Sequence, residues 1–493
     1  MNSISIDEIE NKPLEQQQQE NKNKKPIIIL ILIIIIQIII IIFLYINENN
    51  IIIKKDENGN YILSNKTWKI IKTNNYKQYA KYSQNETILK IALLSDSHLD
   101  PSNPLKHPFS KTLKKSLETI KKQNVDIILF AGDLADIASK EAFNLFIEIY
   151  NEIFPSNSPS PILLVTMGNH DYFPNKNIYV SVNQAREMFE ETFNQKYQDH
   201  FLINDFHFIL WGNIDGEYYE PRCNYKWVIN EINNALNDEN ILNKDFPIFV
   251  ITHYPPINTT HHSTFWGNND INLGLNNYYN VINLCAHSHT SLIDERAIDQ
   301  KNFTVINAQP TSRVCTESCE NGYIAIDEFG SDEISYKNYM GVIMFLRKGS
   351  IEVKRIFLDD NSFYDKNWYI PFPIKKENFN YTDNRVKNNK KPFFEGDYNI
   401  SINKVNNRYF INFKQAKHEY FVYAYNITFS NSSFNFMYRY ISDFFLKEKD
   451  RREYITFALN YMLRKGKYNV TIIAFDSFEL ESINNLTQLI ELN

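Results

Sequence analysis

The sequence predicts an α/β domain that is preceded by one transmembrane helix and followed by an all-β domain. Three observations predict this order: an apolar run near the N-terminus, a central region in which short apolar runs alternate with amphipathic stretches, and a final region with strand-like alternation. The chain has 493 residues, of which 43% are hydrophobic and 22% are charged. It is therefore long enough for two or three domains of ordinary globular composition.

The apolar run near the N-terminus covers residues 27–46 and is interrupted only by Gln37. At about 1.5 Å per residue, a helix of this length spans the roughly 30 Å hydrocarbon layer of a membrane. A cleaved signal peptide is the alternative, but the run is too long and no small-residue cleavage site follows it. Because lysines precede the run, residues 1–26 are predicted to be a cytosolic tail. The rest of the chain, beginning with a juxtamembrane segment at 47–87, is predicted to be lumenal or extracellular.

One further feature fits a location outside the cytosol. N-x-S/T sequons occur beyond the apolar run, although the abundance of asparagine weakens this argument. They lie at Asn65, Asn85, Asn258, Asn302, Asn380, Asn399, Asn426, Asn431, Asn469 and Asn485. Cys315 and Cys319 are close enough to form a local disulfide, with Cys223 as an alternative partner. Cys285 lies in an apolar run and is predicted to be a buried thiol.

The elements of the central domain, residues 88–358, follow from their apolar patterns. Strands are predicted at 88–94, 125–130, 162–167, 246–252 and 280–285. Leu113, Leu117 and Ile120 form an apolar stripe among lysines, which predicts a helix between the first two strands. A second helix is predicted near 139–150. This alternation is typical of an α/β domain.

The C-terminal third of the chain has a different pattern. Residues 359–395 are rich in proline, lysine and asparagine, which predicts a linker. Residues 396–493 are predicted to form a β-sandwich, because apolar and polar residues alternate from Tyr468 to Ala474 and the stretch 419–429 is similar.

Polar residues that bind metals or move protons follow five of the apolar runs. The motifs are SDSH (Asp96, His98), GDLAD (Asp133, Asp136), GNHD (Asn169, His170, Asp171), THYPP (His253) and AHSH (His287, His289). Crossover connections return successive strand ends to one edge of a parallel sheet, so we expect these side chains to meet. Carboxylate, amide and imidazole ligands suit divalent Mn, Fe, Zn or Ni, and the absence of thiolate ligands disfavours a structural zinc site of the zinc-finger type.

The five motifs, in this order, resemble the calcineurin-like metallophosphoesterase superfamily. The resemblance covers about residues 88–358 and implies an αββα sandwich with two divalent transition-metal ions at its rim. It implies that one ion is held by Asp96, His98, Asp133 and His289, and the other by Asp133, Asn169, His253 and His287. A hydroxide shared by the two ions would attack the phosphorus. His170, which follows a ligand without being assigned to a metal, would protonate the leaving group.

Departures from the superfamily pattern narrow the resemblance. Asp136 occupies the position where purple acid phosphatases have a tyrosine ligand, and the arginines typical of serine/threonine protein phosphatases are missing, so both branches are disfavoured. Ala286 replaces the usual glycine before His287, and a positive φ at this position would be strained. The central and C-terminal regions together most resemble a microbial subgroup with a C-terminal fibronectin-like domain.

Several residues have two interpretations. Asp136 is either a helix N-cap or the carboxylate that orients His170, and Asp171 is predicted to be structural. His261 and His262 are predicted to be exposed to solvent, with a substrate-facing loop as the alternative.

The function predicted from these features is that of a membrane-anchored phosphoesterase that hydrolyses a phosphomonoester or a phosphodiester. The alternative is a cell-surface binding or adhesion protein that uses the metal domain as a scaffold, although a scaffold has no need of the proton donor His170. A net charge of −6 without a long basic stripe gives no reason to expect nucleic acid as a partner.

Overall fold

The computed structural model describes most of the chain beyond residue 86 and three short strands before it. The described residues are 52–55, 61–64, 69–71, 87–103, 107–156, 160–173, 180–213, 222–239, 241, 244–314, 339–396, 399–405, 408–459 and 463–492. The predicted cytosolic tail and transmembrane helix lie outside them, as do Cys315 and Cys319. Within the described residues, no helix has both the length and the apolar character needed to cross a bilayer.

The chain divides near residue 70 into two compact units. In the first unit, β1 (Ile52–Lys55) pairs with β2 (Tyr61–Ser64) as an antiparallel hairpin, with Ile52 opposite Ser64. A short strand, β3 (Lys69–Ile71), follows at the boundary. The predicted juxtamembrane segment at 47–87 therefore contains strands.

The second unit begins with an α/β domain. Its strands are β4 (Thr87–Leu94), β5 (Ile127–Ala131), β6 (Ile162–Thr166), β7 (Gln198–Ile203), β8 (Phe206–Trp211), β9 (Ile248–Ile251), β10 (Val281–Cys285), β11 (Ile298–Gln300), β12 (Thr304–Asn307), β13 (Met340–Arg347), β14 (Ser350–Phe357) and β15 (Trp368–Pro371). Its helices are α1 (His107–Lys122), α2 (Lys140–Ile153), α3 (Val182–Phe193), α4 (Tyr225–Leu236), α5 (Ser263–Trp266) and α6 (Asn269–Leu275).

These strands form two sheets. The first has the order β15-β14-β13-β4-β5-β6, in which β4, β5 and β6 are parallel and the β13–β15 meander is antiparallel. The second contains β11, β12, β10, β9, β8 and β7 in spatial order, and β8, β9, β10 and β12 are parallel. The parallel strands point their carboxyl ends toward one edge of each sheet, where α/β proteins place their ligands.

The two sheets and the helices form four layers. One buried cluster lies between the sheets and joins β4, β5 and β6 with β8, β9 and β10. A second cluster packs α1, α2 and α3 on the first sheet, and a third packs α4 and α6 on the second sheet. The central domain is therefore an αββα sandwich, which confirms this part of the predicted fold class.

The predicted elements differ from the structure mainly where the contacts are long-range. The five predicted strands are found within two residues of their predicted ends, and Ser139 caps α2 by accepting a hydrogen bond from the Ala142 amide. Residues 359–395, predicted to be a linker, contain β15, which pairs with β14. Trp368 anchors this strand, because its indole Nε1 donates to Glu295 at 3.0 Å.

The C-terminal region is a sandwich of two antiparallel sheets, as predicted. Its strands are β16 (Ser401–Val405), β17 (Arg408–Lys414), β18 (Ala424–Asn431), β19 (Phe434–Ile441), β20 (Tyr454–Ala458), β21 (Gly466–Phe475) and β22 (Leu486–Leu492). The sheet orders are β16-β17-β20 and β19-β18-β21-β22, and one buried cluster joins them. Tyr468, Val470, Ile472 and Ala474 all face this core, in agreement with the alternation in the sequence.

Candidate metal centre

The carboxyl ends of the parallel strands bring the predicted metal ligands together. Four of them come two positions after the end of a strand: Asp96 after β4, Asp133 after β5, His253 after β9 and His287 after β10. Asn169 comes three residues after β6. All seven predicted ligands are buried, which is costly for carboxylates and imidazoles unless they are paired or bind a cation.

One group of these side chains contains Asp96, His98 and His289, whose ligand atoms all lie within 4.8 Å of one another. The Nε2 atoms of His98 and His289 are 3.1 Å apart. Asp96 Oδ1 lies 3.3 Å from Nε2 of His289 and 4.0 Å from Nε2 of His98. The three side chains therefore converge on one point, as ligands of a single ion do.

A second group contains Asp133, His253 and His287, also within 4.8 Å of one another. The His253 Nε2 atom is the centre of this group. It lies 3.2 Å from Asp133 Oδ2, 3.1 Å from His287 Nδ1 and 3.1 Å from the side-chain oxygen of Asn169.

One carboxylate oxygen of Asp133 faces both groups. Its Oδ2 atom lies 3.6 Å from His98 Nε2 in the first group and 3.2 Å from His253 Nε2 in the second. The other oxygen accepts a hydrogen bond from the His170 amide at 2.9 Å, which fixes the orientation of the carboxylate. Asp133 is thus placed where a ligand shared by two ions would be.

The outer nitrogens of two imidazoles are held by backbone carbonyls. His253 Nδ1 is 2.8 Å from the Ala131 oxygen, and His289 Nδ1 is 3.0 Å from the Arg313 oxygen. In the neutral tautomers these nitrogens donate, so the lone pairs of both Nε2 atoms point into the centre.

Unsatisfied oxygens also point into the centre. Three buried carboxylate oxygens have no hydrogen-bond partner within the described part of the chain. They are both oxygens of Asp96 and the Oδ2 atom of Asp133. Such buried acceptors are rare in proteins unless a cation or ordered water completes them. Converging lone pairs and unsatisfied carboxylate oxygens fit divalent cations.

The pKa values of His253 and Asp133 are shifted in the directions that favour positive charge beside the Asp133 carboxylate. Burial lowers the pKa of His253, but the adjacent Asp133 carboxylate outweighs this and raises that pKa to about 9. Burial raises the pKa of Asp133, but the neighbouring imidazoles outweigh this and hold that pKa well below its usual range. A proton on His253 and a metal ion therefore compete for the same position.

Five of the seven predicted ligands have left-handed backbone conformations. The φ angles are +50° for Asp96, +46° for His98, +52° for Asp133, +66° for His287 and +52° for His289. Such φ values are uncommon for residues other than glycine, cost free energy and cluster at functional sites. Ala286, where a positive φ was a concern, is not among these residues, so the replacement of glycine at this position introduces no such strain.

The predicted proton donor His170 lies beside the centre and remains accessible. Its side chain is 25% exposed, and its ring centroid is 4.5 Å from that of His98. Its Nδ1 is 2.9 Å from the backbone oxygen of Asp136. If Nδ1 donates to this carbonyl, Nε2 is the atom available for proton transfer.

The carboxylate of Asp136 is closer to His98 than to His170. It lies 3.2 Å from His98 Nδ1 and 3.8 Å from His170 Nδ1. Asp136 therefore contacts both imidazoles, through its carboxylate on one side and its backbone carbonyl on the other.

Asp171 joins the loops after β5 and β6. Its two oxygens accept hydrogen bonds from the Ala135 amide at 2.9 Å and from the Gly168 amide at 2.8 Å. Burial and the nearby Asp133 charge raise the pKa of Asp171 to about 7.

A side chain at Gly168 would overlap the Asp133 carboxylate, so the glycine is required by this close approach.

The sequence analysis missed several neighbours of the centre. The Tyr254 ring lies 4.1 Å from that of His287, and the Trp266 ring lies 5.7 Å from it.

His262 is buried and His261 is half-buried, so their predicted solvent exposure is wrong. For His261 the prediction failed because its neighbours Tyr423 and Arg296 come from remote segments, which local composition does not reveal.

One family model matches part of the central domain. Residues 89–291 match the family model described as calcineurin-like phosphoesterase, and this range includes every predicted metal ligand. No curated protein matches the chain in sequence.

Two solved structures are similar to parts of the chain. A dimetal phosphatase from Danio rerio is 11% identical, and the match covers 58% of this chain and 99% of that one, with a TM-score of 0.37. A purple acid phosphatase from yellow lupin (Lupinus luteus) seeds is 12% identical over 64% of this chain and 58% of that one, with a TM-score of 0.39. At these TM-scores we draw no functional conclusion from either likeness.

Proposed function

We propose that this chain, which contains a calcineurin-like phosphoesterase domain at residues 89–291, hydrolyses a phosphomonoester or a phosphodiester with the help of two divalent cations. The observation that supports this most is the position of the Asp133 Oδ2 atom between two groups of imidazoles and carboxylates. One group of ligands would suffice for a structural ion. Two groups that share a carboxylate are the arrangement of two-metal hydrolytic sites.

The ligands divide naturally between the two positions. Asp96, His98, His289 and the shared Asp133 would hold one ion, and Asn169, His253, His287 and the same Asp133 would hold the other. Oxygen and imidazole ligands without thiolates suit Mn, Fe, Zn or Ni. When bound, such ions supply Lewis-acid activation of the phosphoryl group and of an attacking water.

The remaining residues of the site would orient and protonate. Asp136 would hold the His98 imidazole through the 3.2 Å contact with Nδ1, which directs Nε2 toward the ion. Its backbone carbonyl would hold His170 through Nδ1, which leaves Nε2 to protonate the leaving oxygen. Asp171 would keep the two loops that carry Asp133 and Asn169 together.

Metal-dependent turnover is the test of this proposal. Purified full-length protein should hydrolyse bis(p-nitrophenyl) phosphate or p-nitrophenyl phosphate, lose this activity with a chelator, and regain it when Mn²⁺ or Zn²⁺ is returned. His253→Ala with His289→Ala, which removes one ligand from each group, is the control for contaminating phosphatases and should be inactive. Bound ions without turnover of either ester would instead favour a binding protein that uses the domain as a scaffold.

We further propose that residues 27–46 anchor the protein in a membrane and that the catalytic domain faces the lumen or the cell exterior. The sequons support this topology, because seven of the eight described ones lie at exposed asparagines, as glycosylation requires: Asn258, Asn302, Asn380, Asn399, Asn431, Asn469 and Asn485. Asn426 is half-buried in β18, and its side-chain oxygen lies 3.3 Å from Arg439.

Glycosidase treatment of protein from its native host should increase its gel mobility. Asn469→Gln should remove one step of that shift, because its side chain is exposed on β21, whereas Asn426→Gln is the control that should leave the shift unchanged. Absence of any shift, together with cleavage of the catalytic domain by protease added to the cytosolic side, would contradict the topology.

A further inference from the structure

We infer that Tyr423, a residue of the C-terminal β-sandwich, is a positioning residue for the candidate metal centre. It contacts two loops of the α/β domain, each of which adjoins predicted metal ligands: His253 for the first loop, and His287 and His289 for the second. The role of this tyrosine in turnover rests on the proposed function, whereas its effect on the loops does not.

Tyr423 points out of its own domain. It precedes β18 and is 1% exposed, yet it belongs to the buried cluster between the two sheets of the α/β domain. Its neighbours Val422 and Tyr425 face the core of the sandwich instead. The sandwich therefore contributes this tyrosine to the core of the other domain.

The hydroxyl and the ring of Tyr423 contact one residue from each of the two loops. The hydroxyl is 3.1 Å from His261 Nε2, and the guanidinium of Arg296 lies 4.4 Å from the centre of the tyrosine ring. Arg296 Nη2 is itself 3.2 Å from His261 Nε2. Burial and the Arg296 charge hold the pKa of His261 well below its usual range, so its neutral Nε2 offers one lone pair that the Tyr423 hydroxyl and Arg296 share.

The first loop runs from His253 to the short helix α5. Its middle is held at His261, whose amide donates to the Arg296 carbonyl at 3.1 Å. Tyr254 at its start and Trp266, the last residue of α5, both contact the His287 ring. A shift in the middle of this loop would therefore reach a predicted ligand at two points.

The second loop follows the AHSH motif, so Arg296 lies seven residues after His289. The fully buried Asp294 holds Arg296 through contacts of 3.0 Å to Nε and 2.7 Å to Nη2. Asp294 is buried and the Arg296 side chain is half-buried, and such a pair is stabilising only when its remaining polar groups are also satisfied. Tyr423 is one of the remaining neighbours of Arg296.

Tyr423→Phe in the full-length protein tests this inference, with Tyr425→Phe as the matched control. The first substitution removes the hydroxyl, which contacts His261 and Arg296, and keeps the ring on the Arg296 guanidinium. The second removes a hydroxyl of the same strand region that bonds within the sandwich, to the Ala416 amide at 3.0 Å and Gln415 at 3.3 Å.

Hydrogen exchange of peptides that cover residues 254–268 is the readout that does not depend on activity. We expect faster exchange of these peptides in Tyr423→Phe, with kcat/KM lowered about three- to thirtyfold. In Tyr425→Phe we expect a lower Tm, with the exchange of residues 254–268 and kcat/KM unchanged.

Wild-type exchange of residues 254–268 in Tyr423→Phe would overturn the inference, as would equal effects of the two variants on these peptides. If the wild-type protein hydrolyses neither ester, the proposed function fails, while the exchange experiment still decides whether Tyr423 holds the loop.

Discussion

Asp133→Asn is expected to deplete both metal ions and to abolish turnover, because one carboxylate oxygen faces both groups of ligands. The substitution keeps the size of the side chain and an oxygen that can accept the His170 amide, but removes the negative charge. Loss of an outer-shell partner typically lowers metal affinity or activity about 10- to 100-fold. Loss of the shared ligand should exceed this. Elemental analysis of the purified variant and its rate on p-nitrophenyl esters are the measurements.

Two further variants give this prediction its controls. Asp126→Asn changes a carboxylate that directly precedes β5, whereas Asp133 follows the other end of that strand. The Asp126 carboxylate accepts from the Lys90 amide at 2.7 Å, and its replacement should leave the ion content unchanged. His253→Ala removes a ligand from one group alone and should deplete mainly one ion. An unchanged ion content in Asp133→Asn would remove the assignment of Asp133 as the shared ligand.

His170→Ala is expected to retain both ions and to lose activity in a way that depends on the leaving group. General acid catalysis typically contributes about 10²- to 10⁴-fold. We expect a loss of roughly this size on an alkyl phosphodiester, whose leaving alkoxide is a strong base. On a p-nitrophenyl ester the loss should be distinctly smaller, because that leaving group departs without protonation. Steady-state rates on both esters, with ion content as the control, measure the difference.

Asp136→Asn separates the two contacts of that residue. Its backbone carbonyl, which holds His170, is kept, whereas the carboxylate that contacts His98 is altered. We therefore expect a smaller loss than in His170→Ala.

Equal losses on the two ester types in His170→Ala would instead assign His170 to stabilisation of charge on the phosphoryl group, and wild-type rates on both would leave it a structural residue.

The parts of the fold that sequence predicts well are those specified by local pattern. The strands β4, β5 and β6 are short apolar runs, because a strand covered on both faces is apolar throughout. The polar residues directly after them therefore stood out, and the rule for parallel sheets placed them at one edge. The roles of the individual ligands came from the family resemblance and remain predictions.

The features that sequence did not predict depend on distant contacts. Residues 359–395 have the composition of a linker, but composition does not reveal that Trp368 reaches Glu295, 73 positions away. His261 is in a polar stretch that suggests exposure, and it is covered by Tyr423, 162 positions away. Such contacts are set by how distant segments of the chain pack, which no periodicity within one segment encodes.

The measurement that tests the two-ion centre most directly is anomalous X-ray scattering from crystals of the purified protein, collected on both sides of the absorption edges of Mn, Fe, Ni and Zn. We predict two peaks about 3.5 to 4 Å apart, one on each side of the Asp133 carboxylate, the first beside His98 and His289 and the second beside His253 and His287. A single peak, or peaks away from Asp133 in crystals of protein that turns over phosphoesters, would contradict the account.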